Sequence, residues 1–356
     1  MEGLENSCIF AFEFLQNNCI IWKHLAKLMV ERFARHILLT VMAVMLVVFC
    51  ISCWTCYKVL QTESHVRYVG IMNVAAEKIA KTISGMEMNA MNVFDEVGKH
   101  LDSPDAVIAA LESKTRLNPE IRGYFAAFEP NYFPEMGQWF EPYVHHVDSG
   151  AFEVRQVGSA SHNYYKSDWY IRAKDSNDSF WSDPYYYYDG TNISGNYTTF
   201  VKPVFDKDGR LACVCGADMT FEWLSKELQR IDNEISNNDM LNSILMFGEV
   251  EFFTAVINRG GSCIAKPEGK SLTLTKEQVG RSLELKKNGM IELSVNGVPS
   301  TVYYSPIDHV DWSVAVVVPN QGVMKSLVMI GIALLLVTIL GIMIVWFICR
   351  RLKDNL

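Results

Sequence analysis

The sequence lacks the short motifs on which the common catalytic classes depend. It contains no HExxH, GxSxG or Walker A pattern, and its Cys-x-x-Cys spacings, at Cys50, Cys53 and Cys56, lie inside an apolar run. The eight histidines are scattered. The one adjacent pair, His145 and His146, would point to opposite faces of a strand and could not easily share a metal ion. We therefore expect no catalytic site, no metal ion and no cofactor.

Basic charge is also scarce, because 32 Lys and Arg residues stand against 40 Asp and Glu residues, for a net charge of −8. A nucleic-acid partner would need a basic face, so none is expected. Nine cysteines in 356 residues are too few for a disulfide scaffold. A hydrophobic content of 49% with 12% aromatics excludes a disordered chain. The length allows about two domains.

Charged residues are absent from two long stretches, 37–56 and 327–349. About 20 apolar residues cross the hydrocarbon core of a bilayer as a helix, so each stretch predicts a transmembrane helix. Basic residues precede the first stretch and follow the second, which predicts that both termini are cytoplasmic. The expected layout is a cytoplasmic segment 1–36, a transmembrane helix 37–56, an extracytoplasmic domain 57–326, a transmembrane helix 327–349 and a cytoplasmic tail 350–356.

The two ends of the sequence carry separate expectations. Met29 begins the run MVERFARHILL, which is typical of a start before a first membrane span, so translation is expected from either Met1 or Met29. After the second span only 350–356 follow, without a kinase, phosphatase, cyclase or chemoreceptor segment. The output is therefore expected from a separate cytoplasmic module, or the sequence is truncated.

Between 62 and 103 no proline occurs, and apolar residues recur at alternating spacings of three and four. This pattern predicts one long helix with a narrow heptad seam. Ser103-Pro104-Asp105 predicts the end of that helix and the start of another. The seam fits packing against its own domain or against a second copy in a homodimer, and the sequence leaves both open. The seam consists of Val69, Met72, Ala76, Ile79, Ile83, Met86, Ala90, Val93 and Val97.

After about Gly123 the pattern changes to short, aromatic and β-branched segments that predict strands. The turn sequence Asp206-Lys207-Asp208-Gly209 predicts a hairpin, and a short amphipathic helix is expected at 221–231. A smaller version of the pattern then follows. The predicted fold class is α+β, with two antiparallel-sheet modules behind one long N-terminal helix. The expected strands are 124–128, 143–147, 198–205, 211–219, 252–257, 262–265, 290–295, 300–305 and 310–318.

Six motifs follow one another in a set order between 139 and 319, within a segment of about 60–320. They read WFEPYVHH, DWYIRA, WSDPYYYYDG, TTFVKPVFDKDGRLACVCGADMTFEWL, VINRGGSCIA and TVYYSPIDHVDWSVAVVVP. In order, spacing and flanking spans this segment resembles the double Cache sensor domain of bacterial transmembrane receptors. The resemblance implies two PAS-like modules, a membrane-distal one at about 115–225 with a ligand pocket and a proximal one at about 235–319. It also implies a location in the inner membrane.

Aromatic residues are concentrated at 162–189, where their rings would supply apolar walls, polar tips and faces for cations. In the amino-acid-binding subset of double Cache domains, the resemblance implies ligand contacts from Trp169, Tyr170, Tyr185 and Asp218. Ser167 stands where that subset has the arginine that grips the ligand carboxylate.

Two further positions depart from the motif of that subset. His162 occupies the position of its first tyrosine, and Tyr187 occupies the position of its middle aspartate. Lys166 is one residue from the missing arginine and would supply a point charge if the loop shifted. An amine or another small organic cation fits the remaining residues better than an amino acid. Asp218 has an alternative role as the cap of a helix that begins near Thr220. The candidate ligand-binding residues are Trp169, Tyr170, Tyr185, Tyr187, Asp218 and Lys166.

The expected function is extracytoplasmic sensing of a small molecule and transmembrane signalling, as the input half of a receptor of histidine kinase, phosphatase or chemoreceptor type. The expected partners are a small-molecule ligand, the lipid bilayer, a second copy in a homodimer and an unknown cytoplasmic output module. Two alternatives stay open, a membrane-anchored scaffold without a ligand and an extracytoplasmic enzyme of unfamiliar type.

The membrane topology is directly testable. Reporter fusions and cysteine-accessibility labelling should place residue 200 outside the membrane and both termini inside, because basic flanks stay on the cytoplasmic side. A terminus found outside would contradict the receptor interpretation.

Overall fold

The computed structural model describes residues 2–115, 118, 120–147, 151–188, 194–237, 251–258, 261–274 and 287–354. Its helices are α1 (Glu2–Lys99), α2 (Pro104–Thr115), α3 (Asp168–Ser176), α4 (Phe221–Ser236) and α5 (Asn320–Asp354). Its strands are β1 (Gly123–Phe128), β2 (Pro142–His146), β3 (Phe152–Gln156), β4 (Phe180–Trp181), β5 (Tyr185–Tyr188), β6 (Ser194–Phe205), β7 (Leu211–Thr220), β8 (Phe253–Asn258), β9 (Cys263–Ala265), β10 (Gly289–Val295), β11 (Val298–Pro306) and β12 (Trp312–Pro319).

The chain divides into two compact units, and the smaller one consists of Met1–His65 with Gln321–Leu356. It contains the first part of α1 and nearly all of α5, which are long and apolar enough to cross a membrane. The most apolar stretch of each helix is entirely unburied within the chain, as a surface that meets lipid would be. Met45 of α1 packs closely against Gly341 of α5, because a Cβ added to this glycine would lie 2.7 Å from Met45 Cε. The apolar runs predicted as spans are therefore helical.

The larger unit, Val66–Asn320, contains both sheets and the second part of α1. The predicted break after α1 is confirmed, because α1 ends at Lys99 and α2 begins at Pro104. The heptad seam is buried in the main core of this unit, and Ile79, Ile83 and Met86 are each 1% exposed.

The seam therefore packs against its own chain, so the alternative in which it forms the homodimer contact is wrong. The same apolar side chains cannot pack against the sheets and against a second copy at the same time, and here they pack against the sheets. The homodimer itself stays a prediction. The opposite face of α1 leaves Val66, Val74 and Met88 exposed.

Two antiparallel sheets lie in the larger unit, as the sequence predicts. The first has the order β3-β2-β1-β7-β6-β4 with β5 paired to β6, and the second has the order β10-β11-β12-β8-β9. Each predicted strand has an observed counterpart within four residues at its ends, whereas β3, β4 and β5 were not predicted. The β6–β7 turn forms because the Asp206 carboxylate accepts hydrogen bonds from two backbone N–H groups and Gly209 adopts a φ of 77°. Residues 238–250 of the predicted proximal module lie outside the described part of the chain.

The first sheet has two buried faces. Along β7 side chains alternate, so Cys213, Cys215 and Ala217 face the core that contains α1. Val214 faces a second core on the opposite side, together with Phe125 and residues of the segment around α3. Cys213 and Cys215 are both buried on this face, and their sulfur atoms lie 3.8 Å apart. The second face, away from α1, is where a cavity forms.

The cap of α4 is Thr220, whose hydroxyl accepts a hydrogen bond from Trp223 N at 3.3 Å. Asp218, two residues earlier on β7, accepts a hydrogen bond from Thr199 and caps none of the described helices. The alternative role proposed for Asp218 is therefore wrong, because the chain needs two more residues to leave the strand and enter the helix.

Removing this cap should destabilise the protein without touching the cavity. We expect Thr220→Ala to lower the free energy of unfolding by about 1 kcal/mol, because one donor of the first helical turn loses its partner. Thr220→Ser keeps the hydroxyl and should stay close to the unsubstituted protein. Urea unfolding of the full chain in detergent, followed by tryptophan fluorescence, measures both. An equal loss in the two variants would contradict the capping role.

Candidate ligand-binding site

A small cavity of about 40 Å³ lies on the face of the first sheet that points away from α1. Strands β1, β2, β5 and β7 contribute to its wall, together with the start of α3 and the segments that precede β2 and α3. Its lining residues are Phe125, Glu141, Tyr143, Val157, His162, Trp169, Tyr185, Tyr187 and Asp218. Among these described lining residues there is no lysine and no arginine, so the cavity contains two carboxyl groups and no fixed positive charge.

Asp218 is buried near the end of β7, with 9% of its surface exposed. Thr199, its partner across the β6–β7 pairing, donates a hydrogen bond to Asp218 Oδ1 at 2.6 Å. The Tyr185 hydroxyl lies 3.5 Å from the same oxygen. Burial raises the pKa of Asp218 to about 6, although these hydroxyls favour the ionised form. Near neutral pH the group is thus a carboxylate that is easily protonated.

Glu141 is the second acid of the cavity and is 3% exposed. Its backbone is fixed beside the end of β3, because its N–H donates to Gln156 Oε1 at 3.1 Å and its carbonyl accepts from Val157 N at 3.0 Å. Burial, followed by the charge of Asp218, raises the pKa of Glu141 well above its usual range. The two carboxyl groups are therefore close enough to repel each other when both are ionised.

Aromatic rings form the apolar walls. The Trp169 ring lies 5.1 Å from that of Phe125, and the His162 ring lies 5.3 Å from that of Tyr187. Phe125 lies directly on Gly216 of β7, where an added Cβ would be 2.1 Å from the ring. Glycine is required there because the wall of the cavity occupies the space of a side chain. The site can thus enclose an apolar group and present acidic oxygens to a polar end.

Four of the six predicted site residues line the cavity, namely Trp169, Tyr185, Tyr187 and Asp218. Tyr170 does not, because it follows Trp169 on α3 and successive helical residues point about 100° apart. The Tyr170 hydroxyl instead donates to Glu129 Oε1 at 2.7 Å. Lys166 is exposed at the end of a 3-10 helix, Tyr164–Lys166, and is absent from the lining.

Sequence reasoning missed Glu141, Tyr143, Phe125 and Val157 as lining residues and noted His162 only as a departure from a pattern. No local signal marked Phe125, whose position depends on the pairing of β1 with β7.

Comparisons with known proteins agree with this architecture. Residues 107–226 match the family model described as the first PDC sensor domain of methyl-accepting chemotaxis protein-like proteins. No curated protein sequence is significantly similar to the chain.

Solved structures with the same fold include "Methyl-accepting Chemotaxis protein X", at 18% identity and a TM-score of 0.55, covering 74% of this chain and 98% of that one. The extracellular domain of a protein assigned as a histidine kinase, mmHK1S-Z3, gives 17% identity, a TM-score of 0.58 and the same coverage. The sensory domain of the Campylobacter jejuni chemoreceptor Tlp3 with isoleucine bound gives 12% identity and a TM-score of 0.50, covering 75% of this chain and 97% of that one.

The α+β fold behind a long N-terminal helix is thus the fold of chemoreceptor and histidine kinase sensor domains. Residues 107–226 thus match the family of first PDC sensor domains, which is consistent with a Cache-type sensor domain.

Proposed function

We propose that this chain is the extracytoplasmic input half of a transmembrane receptor and that it senses a small organic cation bearing an amine. In this proposal the segment 57–326 lies outside the inner membrane and both termini lie in the cytoplasm. The observation that carries the choice of ligand is the cavity with two buried carboxyl groups, Asp218 and Glu141, aromatic walls and no lysine or arginine in its described lining.

An amine fits this cavity better than an amino acid. The Tlp3 structure was solved with isoleucine bound, and an amino acid presents a carboxylate that needs a cation. Here Ser167 occupies the position of the expected arginine, and Lys166 is exposed outside the lining. A ligand carboxylate would therefore meet Asp218 without compensation, whereas an ammonium group would find acceptors and ring faces.

A contiguous set of contacts supports the transmission of binding to the proximal module. Asp218 accepts from Thr199, whose backbone N–H donates to Ser182 Oγ at 3.0 Å. The neighbouring Trp181 donates from Nε1 to Glu87 on α1 at 2.8 Å, and its ring lies 6.1 Å from that of Trp312.

Trp312 begins β12, and β12 ends at Pro319, where α5 begins with Asn320. A change around Asp218 thus has a short route to the strand that continues into the second apolar helix. Such a route acts as a signal only if ligand binding shifts the population of two arrangements.

The role of Asp218 in binding is testable with the full chain in detergent. We expect Asp218→Asn to weaken n-butylamine binding at least about tenfold, because the ammonium group loses its negatively charged acceptor and keeps only a neutral amide oxygen. The ligand-free melting temperature at pH 7.5 should rise, because the variant no longer buries a carboxylate whose pKa is raised to about 6. Thermal unfolding with and without the amine measures both effects.

Asp183, an exposed acid between β4 and β5, provides the matched control. Asp183→Asn should change neither the amine affinity nor the ligand-free melting temperature. A pH series gives a second readout. Amine affinity of the unsubstituted protein should fall as the pH drops through about 6, because Asp218 takes up a proton that the amine must displace. Unchanged amine affinity in Asp218→Asn would reject Asp218 as a ligand contact. Absence of any amine binding would favour the scaffold, and turnover of the amine would favour an enzyme.

The route through Trp181 makes a separate prediction. Trp181→Phe keeps a ring against Trp312 but removes the Nε1–H that binds Glu87. We expect unchanged amine affinity and a reduced effect of the amine on backbone hydrogen exchange in β12. Hydrogen exchange of the full chain, read by mass spectrometry, tests this, with Trp223→Phe on α4 as the control. An amine-dependent change in β12 that is equal in all three proteins would exclude this route.

A further inference from the structure

The second carboxyl group of the cavity lacks a fixed partner. Glu141 is 3% exposed, and its Oε2 makes no hydrogen bond within the described residues. The nearest basic atom to Oε2 is Nε2 of His162, at 3.5 Å. A buried polar atom without a hydrogen bond costs free energy, so in a native cavity it is expected to meet a bound partner, either water or a ligand.

His162 does not supply a permanent positive charge. Burial lowers the pKa of its imidazole, which is therefore mainly neutral at pH 7 and above. The other titratable groups that line the cavity are Asp218 and the phenols of Tyr143, Tyr185 and Tyr187, and none of these becomes positive. Two acids thus share one small space, and the charge of Asp218 raises the pKa of Glu141 in addition to the effect of burial.

A ligand with a single ammonium group would compensate Asp218 and leave Oε2 of Glu141 without a hydrogen-bond donor. A multivalent metal ion is a poorer candidate, because no group of three or more His, Cys, Asp or Glu side chains able to hold a metal occurs among the described residues. A molecule with two separated positive ends meets both acids. Its middle must be apolar, because Phe125 and Trp169 form the wall of the cavity.

We propose that the ligand is a short aliphatic diamine whose two ammonium groups are bound by Asp218 and Glu141, with its methylene chain against the aromatic walls. This inference rests on the proposed function and adds the second anchor. The cavity of about 40 Å³ holds about three water molecules, which limits the chain to a few carbons.

The comparison that tests this uses amines of equal chain length. The full chain in detergent is titrated calorimetrically at pH 7.5 with n-propylamine and n-butylamine, and with diaminopropane and diaminobutane that carry terminal amines. We expect the unsubstituted protein to bind a diamine at least about tenfold more tightly than the matching monoamine. This comparison needs no variant, so it does not depend on whether a substituted protein folds.

The variants assign the preference to a residue. Glu141→Gln should bring diamine affinity down to that of the monoamine while leaving monoamine affinity within about threefold. Asp218→Asn should weaken both classes. Glu135→Gln, at an exposed acid in the same module, should change neither.

Three outcomes overturn the inference. Equal affinities for monoamine and diamine in the unsubstituted protein would reject the second anchor and leave amine sensing intact. A diamine preference that persists in Glu141→Gln would reject Glu141 as that anchor. Binding of neither class would overturn this inference together with the proposed function.

Discussion

Strand β7 is buried on both faces, and this constraint organises the sensor domain. One face meets the core built around α1, and the other meets the core around α3. A strand in this position normally carries only small or apolar side chains, because a buried charge needs compensation. β7 follows the rule from Leu211 to Ala217 and departs from it at Asp218. The departure falls where the second face opens into a cavity.

The two acids of the cavity are costly to the folded state. A rise in the pKa of Asp218 from its ordinary 3.8 to about 6 corresponds to about 3 kcal/mol against the ionised form. Because the pKa is higher in the folded protein than in the unfolded chain, ligand-free stability falls as the pH rises from about 4 through 6. Such a cost is expected where a site is arranged for a ligand of opposite charge.

The same sheet edge that shapes the cavity also connects the modules. β4 and β5 both pair with β6, so Trp181 on β4 lies near Tyr185 and Tyr187 on β5, which line the cavity. Trp181 meets both Glu87 on α1 and Trp312 at the start of β12. Glu87 is in turn 3.7 Å from Nδ1 of His309, which lies in the turn before β12. One glutamate on the long helix thus contacts elements from both modules.

The sequence by itself determined the elements that rest on local chemistry. Helices and turns depend on residues that are close together in the chain. The apolar runs, the break at Pro104 and the turn at Asp206–Gly209 could therefore be predicted from the sequence. The cluster of rings at 162–189 is likewise visible in the sequence, and the resemblance to double Cache domains singled out Asp218.

Only the tertiary structure decided which of these residues meet. Tyr170 and Lys166 turn away from the cavity because the helical turn and the loop before it set their directions. Glu141 enters it because β2 lies beside β1 in the sheet. The seam of α1 packs against the sheets of its own chain, because this packing removes its apolar side chains from water. Contacts between distant segments depend on strand pairing and packing, which the spacing of residues along the chain does not encode.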